Sequence, residues 1–520
     1  MKQTPSKVPV ANRRSLFLAA GILMLAGLCF SCKKEDQEKP NIVYILADDL
    51  GYGDVSVYNP DSKISTPHID GLAEEGMRFT DAHSPSAVCT PTRYSILTGR
   101  YAWRSRKPVG VLRGYSRTLI EPGRATVATL LKACGYETAV IGKWHLGLDW
   151  QVKEDRRDLL QKEGYGIEEE MAPEDIDFTG SISGGPQEAG FTYSYILPAS
   201  LDMPPYCYLE NQVLAEIPAA YTEGSALDSG YTGPFWRPGK MASSFDFMQV
   251  LPTFITKAKE FLNRQEKKRP FFLFLPLTGP HTPWLPDVEH RGKSAAGEYG
   301  DFVRQVDDAV GAVLEELDKL GYSENTMVIF TSDNGPFWRE EHIAKFAHRA
   351  AGPYRGMKAD IYEGGHRIPF IVKWPGRTRA GQVSEATTTL TNLVATVAEI
   401  TGGKKVPGLP EDSYSILSVL TGKSGYVEGQ PAVVHSASNG YYAIREGDWK
   451  LIQGLGSGGF TEPKTLIPAP GQPKGQLYNL AEDAGETTDL YQKHPEKVKE
   501  LTEKLEAITN SRERIWSSAR

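Results

Sequence analysis

Hydrophobic positions cluster in short unbroken runs, separated by longer stretches of mixed polarity. The first run, Asn41-Ile-Val-Tyr-Ile-Leu-Ala47, is followed by others at 138–141, 271–275, 327–330 and 369–372. Runs without polar alternation suit strands covered on both faces, as in parallel sheets. Between them, apolar residues recur at helical spacing. Residues 126–134 form one such stretch, stopped by Gly135; 243–265 and 298–320 are longer, and Gly321 ends the second. Strands alternating with helices predict an α/β fold, a large mostly parallel sheet flanked by helices on both faces. Residues 150–242 break this rhythm with Gly, Pro, Tyr and Ser and an acidic cluster at Glu168-Glu169-Glu170. They read as a loop insertion that sets specificity. After about Gly403 the runs shorten and alternate, at 441–445 and 449–453, and a charged helix at about 495–515 ends the chain. This predicts a small C-terminal antiparallel sheet with one helix. The division expected is a catalytic domain at 41–403 and a C-terminal subdomain at 404–520.

The first forty residues read as an address. Arg13-Arg14 precede 15 uncharged residues, Leu16 to Phe30, too few for a membrane span and suited to a secretory signal. The run ends at Ser31-Cys32, then Lys33-Lys34-Glu35-Asp36. A small residue before cysteine resembles a lipoprotein signal. Residues 1–31 would be removed, Cys32 lipidated and 32–40 left as a tether. The charged residues after it resemble the export signal of surface lipoproteins in Bacteroidetes-type bacteria. The expected location is the periplasm or outer-membrane surface of a Gram-negative bacterium; ordinary cleavage nearby would instead give a soluble periplasmic enzyme.

Composition narrows the class. The formal charge is −7, which argues against nucleic acid as a partner but leaves room for a small cationic pocket. Glycine (51) and proline (35) make up about 17 % of 520 residues, above the usual ~12 %, so many ordered loops are expected. Five cysteines are too few for a disulfide scaffold.

Chemistry gathers where the apolar runs end. In open α/β sheets the binding crevice lies at the carboxyl ends of the strands, so distant residues can converge there. Asp48-Asp49 follows the first run and Asp333-Asn334-Gly335 the run at 327–330. Adjacent carboxylates repel unless a cation or hydrogen bonds offset them, and hard oxygen donors favour Ca²⁺ or Mg²⁺. Taken singly, the first pair also fits a helix cap and the second a turn. Lys143 and His145 follow the run at 138–141, and as i and i+2 in extended chain they point the same way. Alone, the segment reads better as a solvated lysine and a structural histidine. His281 stands between Pro280 and Pro283, and Lys358 precedes a Gly-rich turn at 363–366. Two lysines and two histidines suit an anion.

One segment decides among these readings: Cys89-Thr-Pro91-Thr-Arg93, followed by Leu97-Thr98-Gly99-Arg100. Cys-x-Pro-x-Arg with Leu-Thr-Gly-Arg at this distance resembles the maturation motif of type I sulfatases of the alkaline phosphatase-like superfamily, particularly the bacterial glycan group. Thr92 stands where serine is commoner. The resemblance covers about residues 40–500 and includes Thr66-Pro-His-Ile-Asp70, 142–147, 331–335 and 364–369. Segments 445–451 and 476–480 look like that family's C-terminal subdomain.

The resemblance implies a chemistry. A formylglycine-generating or sulfatase-maturating enzyme would oxidise Cys89 to formylglycine. One Ca²⁺ would lie among Asp48, Asp49, Asp333, Asn334 and the group made from Cys89. Arg93, Lys143, His145, His281 and Lys358 would line the sulfate pocket. The hydrated aldehyde attacks sulfur, His281 protonates the leaving sugar oxygen, and His145 takes the proton that lets sulfate depart. The substrate would be a sulfated glycan, desulfated at a terminal galactose or N-acetylhexosamine of a mucin or glycosaminoglycan fragment. Asp202, Trp338, His342, Arg349 and Arg355 are expected sugar contacts, since aromatics stack on sugar faces and arginine binds anions through two N–H groups. Two other readings stay open: a phosphate or phosphonate ester hydrolase of the same superfamily, and a non-catalytic sulfoglycan-binding lipoprotein.

Overall fold

The structure is a computed structural model that describes Met1 and residues 39–225, 235–402 and 410–511. The expected signal, lipidated Cys32 and most of the tether lie outside the described residues. Pro40–Arg520 forms one compact unit; Met1–Lys39 is a second, nearly all of it outside that description.

The apolar runs become the middle of a ten-stranded sheet. In chain order its strands are β1 (Asn41–Ala47), β2 (Met77–Phe79), β3 (Glu137–Lys143), β4 (Tyr193–Leu197), β5 (Leu209–Glu210), β6 (Val213–Leu214), β7 (Phe271–Pro276), β8 (Thr326–Ser332), β9 (Phe370–Lys373) and β10 (Gln382–Ser384). Across the sheet they run β10-β2-β9-β8-β1-β7-β3-β4-β5-β6. The five central strands β8, β1, β7, β3 and β4 are mutually parallel, so all five carboxyl ends reach one edge. Every residue of β1, β7 and β8 is buried, as two-sided coverage requires. Full burial stabilises by ~1.5–3 kcal/mol per large apolar side chain, so these strands are a rigid platform for their loops. The run expected at 369–372 forms β9, which lies antiparallel to β8.

Helices flank the sheet in two groups. One joins α1 (Pro67–Glu75), α4 (Val250–Asn263) and α5 (Gly297–Lys319). α4 buries Val250, Leu251, Phe254, Ala258, Phe261 and Leu262, one face at helical spacing. The other group joins α2 (Cys89–Thr98), α3 (Val127–Ala133) and α6 (Leu393–Ile400). α3 starts as the pattern predicts: Thr126 accepts from the Thr129 N–H, and Thr129 returns the bond. The start expected at residue 243 is a turn; the regular helix begins at Val250.

Segment 150–242 differs from the loop reading, because β4, a central parallel strand, lies inside it. Five residues, with Ser194 among them, are too short a run to stand out from the surrounding tyrosines. The C-terminal prediction matches: β11 (Val433–Ser436), β12 (Tyr442–Glu446), β13 (Trp449–Gln453) and β14 (Gly475–Asn479) form an antiparallel sheet. Helix α7 (Pro495–Asn510) packs against it through Leu501 and Leu505. Among the described residues no helix is long and apolar enough to cross a membrane.

Candidate active site

The carboxyl edge of the five parallel strands collects the expected residues. Asp48 and Asp49 follow β1, Lys143 ends β3, His281 follows β7, and Asp333 and Asn334 follow β8. Cys89 opens α2, all ten residues of which are buried, and Gly99 stops that helix at φ 66°. Gly142 lets β3 come close to β7. It sits at φ 139°, and a Cβ there would lie 1.9 Å from the Pro276 carbonyl oxygen. Any side chain at 142 would push the following lysine away from Asp48.

The polar atoms interlock. Lys143 Nζ lies 2.6 Å from Asp48 Oδ2, and Lys358 Nζ 2.7 Å from Asp49 Oδ2. Cys89 Sγ is 3.7 Å from Asp48 Oδ1. His281 Nε2 is 3.7 Å from Asp49 Oδ2. One ligand-type atom from each of Asp48, Asp49, Cys89 and His281 lies within 4.8 Å of the others. Asn334 donates to Asp49 Oδ1 at 2.7 Å. Arg93 donates to Asp333 Oδ2 from Nε at 3.0 Å and Nη2 at 2.8 Å, and to the Lys143 carbonyl at 2.9 Å. Its guanidinium therefore holds a carboxylate of the cluster.

The electrostatics match a site built for an anion and a cation together. Burial raises the Asp49 carboxyl, but Lys358, His281 and Lys143 outweigh it and hold Asp49 at about 2. Burial and the neighbouring Asp48 charge push Asp333 up to about 6 despite Arg93. Burial drives His281 down to about 4, helped by Lys358. His145 falls well below its ordinary value through burial, Lys143 and Arg93. Its Nε2 faces the Leu112 carbonyl oxygen at 2.8 Å. The proton thus sits on Nε2, leaving Nδ1, which is buried without a partner, as a lone pair. Burial also pushes the Cys89 thiol far up. As a thiol, Cys89 is a poor nucleophile, because the thiolate is the reactive form.

The donor set fits a hard cation. Asp48, Asp49 and Asp333 bring three carboxylates together, and the Asn334 Oδ1 atom is buried with no hydrogen-bond partner. A buried amide oxygen left unpaired beside carboxylates is accounted for by an ion that it coordinates.

The sugar contacts divide. Asp202, after β4, is buried; it is ion-paired with Arg237, and its Oδ1 has no partner. Arg349 and Arg355 line a cleft of about 990 Å³. Trp338 reaches that wall but is only 4 % exposed, with its N–H on the His348 carbonyl and its ring against Tyr299 and His342. His342 is buried against Trp284 and Trp338. Neither ring offers an open face to a sugar, a departure from the expectation for both.

Sequence reasoning passed over two groups. The Ser200 hydroxyl accepts from Lys143 at 3.1 Å and lies 3.3 Å from the His281 ring nitrogens. The signal was its place two residues before Asp202. The other group backs the Asp48-Asp49 loop, where Asp49 holds a left-handed backbone at φ 64°. Asp54 accepts from Gly51 N at 2.7 Å, from Tyr299, and from His348 Nε2 at 2.7 Å. No local pattern pairs His348 with a residue 294 positions away.

Fold and site together define a hydrolase of ester anions built on a mostly parallel sheet between helices, with a buried Cys-Asp-Asp-His cluster of the formylglycine–calcium type. The comparisons agree. The family described as Sulfatase matches residues 40–403. The N-acetylgalactosamine-6-O-sulfatase of Bacteroides thetaiotaomicron is 32 % identical, over 95 % of this chain and 98 % of that protein. Human arylsulfatase A is 32 % identical, over 92 % of this chain and 86 % of that protein. A solved Bacteroides thetaiotaomicron structure, described under the metabolism of multiple glycosaminoglycans, superposes with a TM-score of 0.76 at 32 % identity, over 91 % of this chain and all of that one. The chain belongs to the sulfatase family, and its activity is sulfuric ester hydrolysis.

Proposed function

We propose that the protein releases inorganic sulfate from the end of sulfated glycan fragments, at a terminal galactose or N-acetylhexosamine. The convergence of Cys89, Asp48, Asp49 and His281 at one sheet edge carries this reading. The relative named for N-acetylgalactosamine 6-sulfate supports the sugar class.

Asp48, Asp49, Asp333, Asn334 and the group made from Cys89 would hold the calcium, which supplies Lewis-acid charge at the site. Formylglycine at 89 supplies a hydrated aldehyde, a nucleophilic hydroxyl with a second hydroxyl through which sulfate is released. The chain's own residues do the rest. Lys143 and Lys358 neutralise the sulfuryl oxygens, and their fixed ion pairs orient them beforehand. Arg93 keeps Asp333 in place. His281 is the general acid: its Nδ1 donates to the Thr282 carbonyl at 2.6 Å, which leaves Nε2 toward the pocket. A bound sulfate raises its proton affinity from the free-site value of about 4. His145 Nδ1 is the base. Asp202, Arg349 and Arg355 contact the glycan substrate.

A signal peptide at 1–31, a lipidated Cys32 and a tether to residue 40 would deliver the enzyme to the periplasm or outer-membrane surface. There it meets its substrate after a formylglycine-generating or sulfatase-maturating enzyme has acted. The catalytic part is 41–403, with 150–242 shaping specificity and 404–520 as the C-terminal subdomain. The test is a screen of defined sulfated mono- and disaccharides, with protein produced alongside a maturating enzyme and aryl phosphate run beside aryl sulfate. Sulfate release from sugars supports the reading; faster turnover of the phosphate overturns it.

A further inference from the structure

The 990 Å³ cleft lies against the segment that leads to Lys358, and its volume is at the upper end of the ~300–1,000 Å³ typical of small-ligand sites. One wall is the segment leading to Lys358; Met357 is part of it. The other wall comes from the C-terminal part of the chain, through Phe460, Thr461, Glu462, Lys464 and Gly485. Arg355 stands three residues before Lys358, within about 11 Å along the chain.

Two guanidinium groups in this cleft have no carboxylate partner among the described residues. Arg355 Nη1 donates to the Glu486 carbonyl at 2.7 Å, and its Cζ lies over the Tyr362 ring, 3.9 Å from the centroid. Arg349 donates to the Gly352 carbonyl at 3.3 Å and is exposed. Among the described residues, no carboxylate lies within ion-pair distance of either. The other lining cations do have partners: Arg339 pairs with Glu341 at 3.5 Å and Lys464 with Glu462 at 3.6 Å. Glu340 also lines the cleft and is exposed. The segment carrying both free arginines is fixed in advance. His348 Nε2 is 2.7 Å from Asp54, and Gly53 N–H donates to the Ala350 carbonyl at 2.7 Å. A guanidinium held by stacking and by one carbonyl, with further N–H groups free, is arranged to take an oxyanion through two hydrogen bonds.

We propose that this cleft is a second anion subsite, which binds a carboxylate or sulfate ester on the sugar next to the one being desulfated. The inference rests on the sulfatase reading and narrows its substrate: acidic oligosaccharides are preferred over neutral, mucin-like ones.

The experiment compares three substrates with fully matured protein: the sulfated sugar linked to a neutral hexose, to a hexuronate, and to a second sulfated hexose. At least one charged disaccharide should show a kcat/KM about tenfold or more above the neutral one, the scale of one charged hydrogen-bonded contact. The two charged arms tell which anion is read. Arg355→Gln and the exposed Arg349→Ala should each bring that ratio down toward one, mainly through KM, and added salt should compress it in the parent. A melting curve for each variant separates misfolding from lost recognition. Equal kcat/KM on all three substrates, or a ratio unchanged in both folded variants, overturns the subsite. No sulfate released from any of the three overturns the terminal-sugar reading, and the subsite with it.

Discussion

Lys450 lies at the seam between the large sheet and the C-terminal sheet, wholly buried on β13. Its Nζ is 3.0 Å from Glu363 Oε1, 2.8 Å from Glu486 Oε1 and 3.1 Å from His366 Nε2. Around it, Asp81, Glu363 and Glu486 face Arg367, Arg445 and Lys450, so the acids and bases cancel. Lys450→Met keeps the length of the side chain and removes one cation, leaving a buried carboxylate without its partner. Such a loss costs ~3–5 kcal/mol, a large share of the ~5–15 kcal/mol that holds a typical domain together.

The sign of the pH dependence follows from Glu486. Burial raises its carboxyl from 4.5 to about 7, against the pull of Lys450. The folded protein therefore keeps that proton after the unfolded chain has released it. Stability from this group is greatest below pH 4.5 and is lost as pH rises through about 7. Removing Lys450 raises Glu486 further, so the variant loses most at about pH 8 and recovers toward about pH 5. His83, His366 and His435 are pushed down by burial and titrate the other way, costing both proteins stability in acid. The difference between parent and variant cancels most of that. At His366 and His435 the lost cation eases the cost, which adds to the recovery. Urea denaturation at both pH values, followed by tryptophan fluorescence, measures the difference. The double variant Lys450→Met/Glu486→Gln should regain about 2–3 kcal/mol at about pH 8, because both charges leave together. A loss under about 1 kcal/mol in the single variant, or no regain in the double, would refute the reading of the seam as a balanced ion network.

Three further outcomes follow from the geometry. Cys89→Ser should fold with the parent's melting curve and release no sulfate; activity near the parent's would remove formylglycine from the chemistry. Asn334→Ala deletes the unpaired amide oxygen, so calorimetry should show calcium binding weakened by about tenfold or more, while a chelator abolishes activity in the parent and calcium restores it. His348→Ala leaves Asp54 buried with one partner fewer, at a cost of ~1–3 kcal/mol in urea denaturation, and should also weaken calcium binding through the Asp49 loop; an unchanged midpoint would show that the pair does not hold that loop.

How much was legible beforehand depends on the range of the interaction. Unbroken apolar runs announced β1, β7 and β8, because burial on both faces removes polar alternation. β4 was missed because five residues with a serine carry too little signal. Asp48, Asp49, Asp333 and Asn334 were read as one set through the resemblance carried by Cys89–Arg100; they can meet because strands of one sheet share an edge. The Asp54–His348 pair and the burial of Trp338 come from packing between distant segments, which no local spacing reports. Arg93 was expected to face the sulfate; its pairing with Asp333 depends on where β8 ends relative to α2, and only the tertiary structure shows that.

The most direct test of the chemistry is the state of residue 89 in active protein. Mass spectrometry of the peptide containing Cys89, on preparations made with and without a maturating enzyme, should show that sulfate release rises in proportion to the aldehyde fraction and vanishes when only thiol is present. Full turnover from protein whose residue 89 is entirely thiol would contradict it.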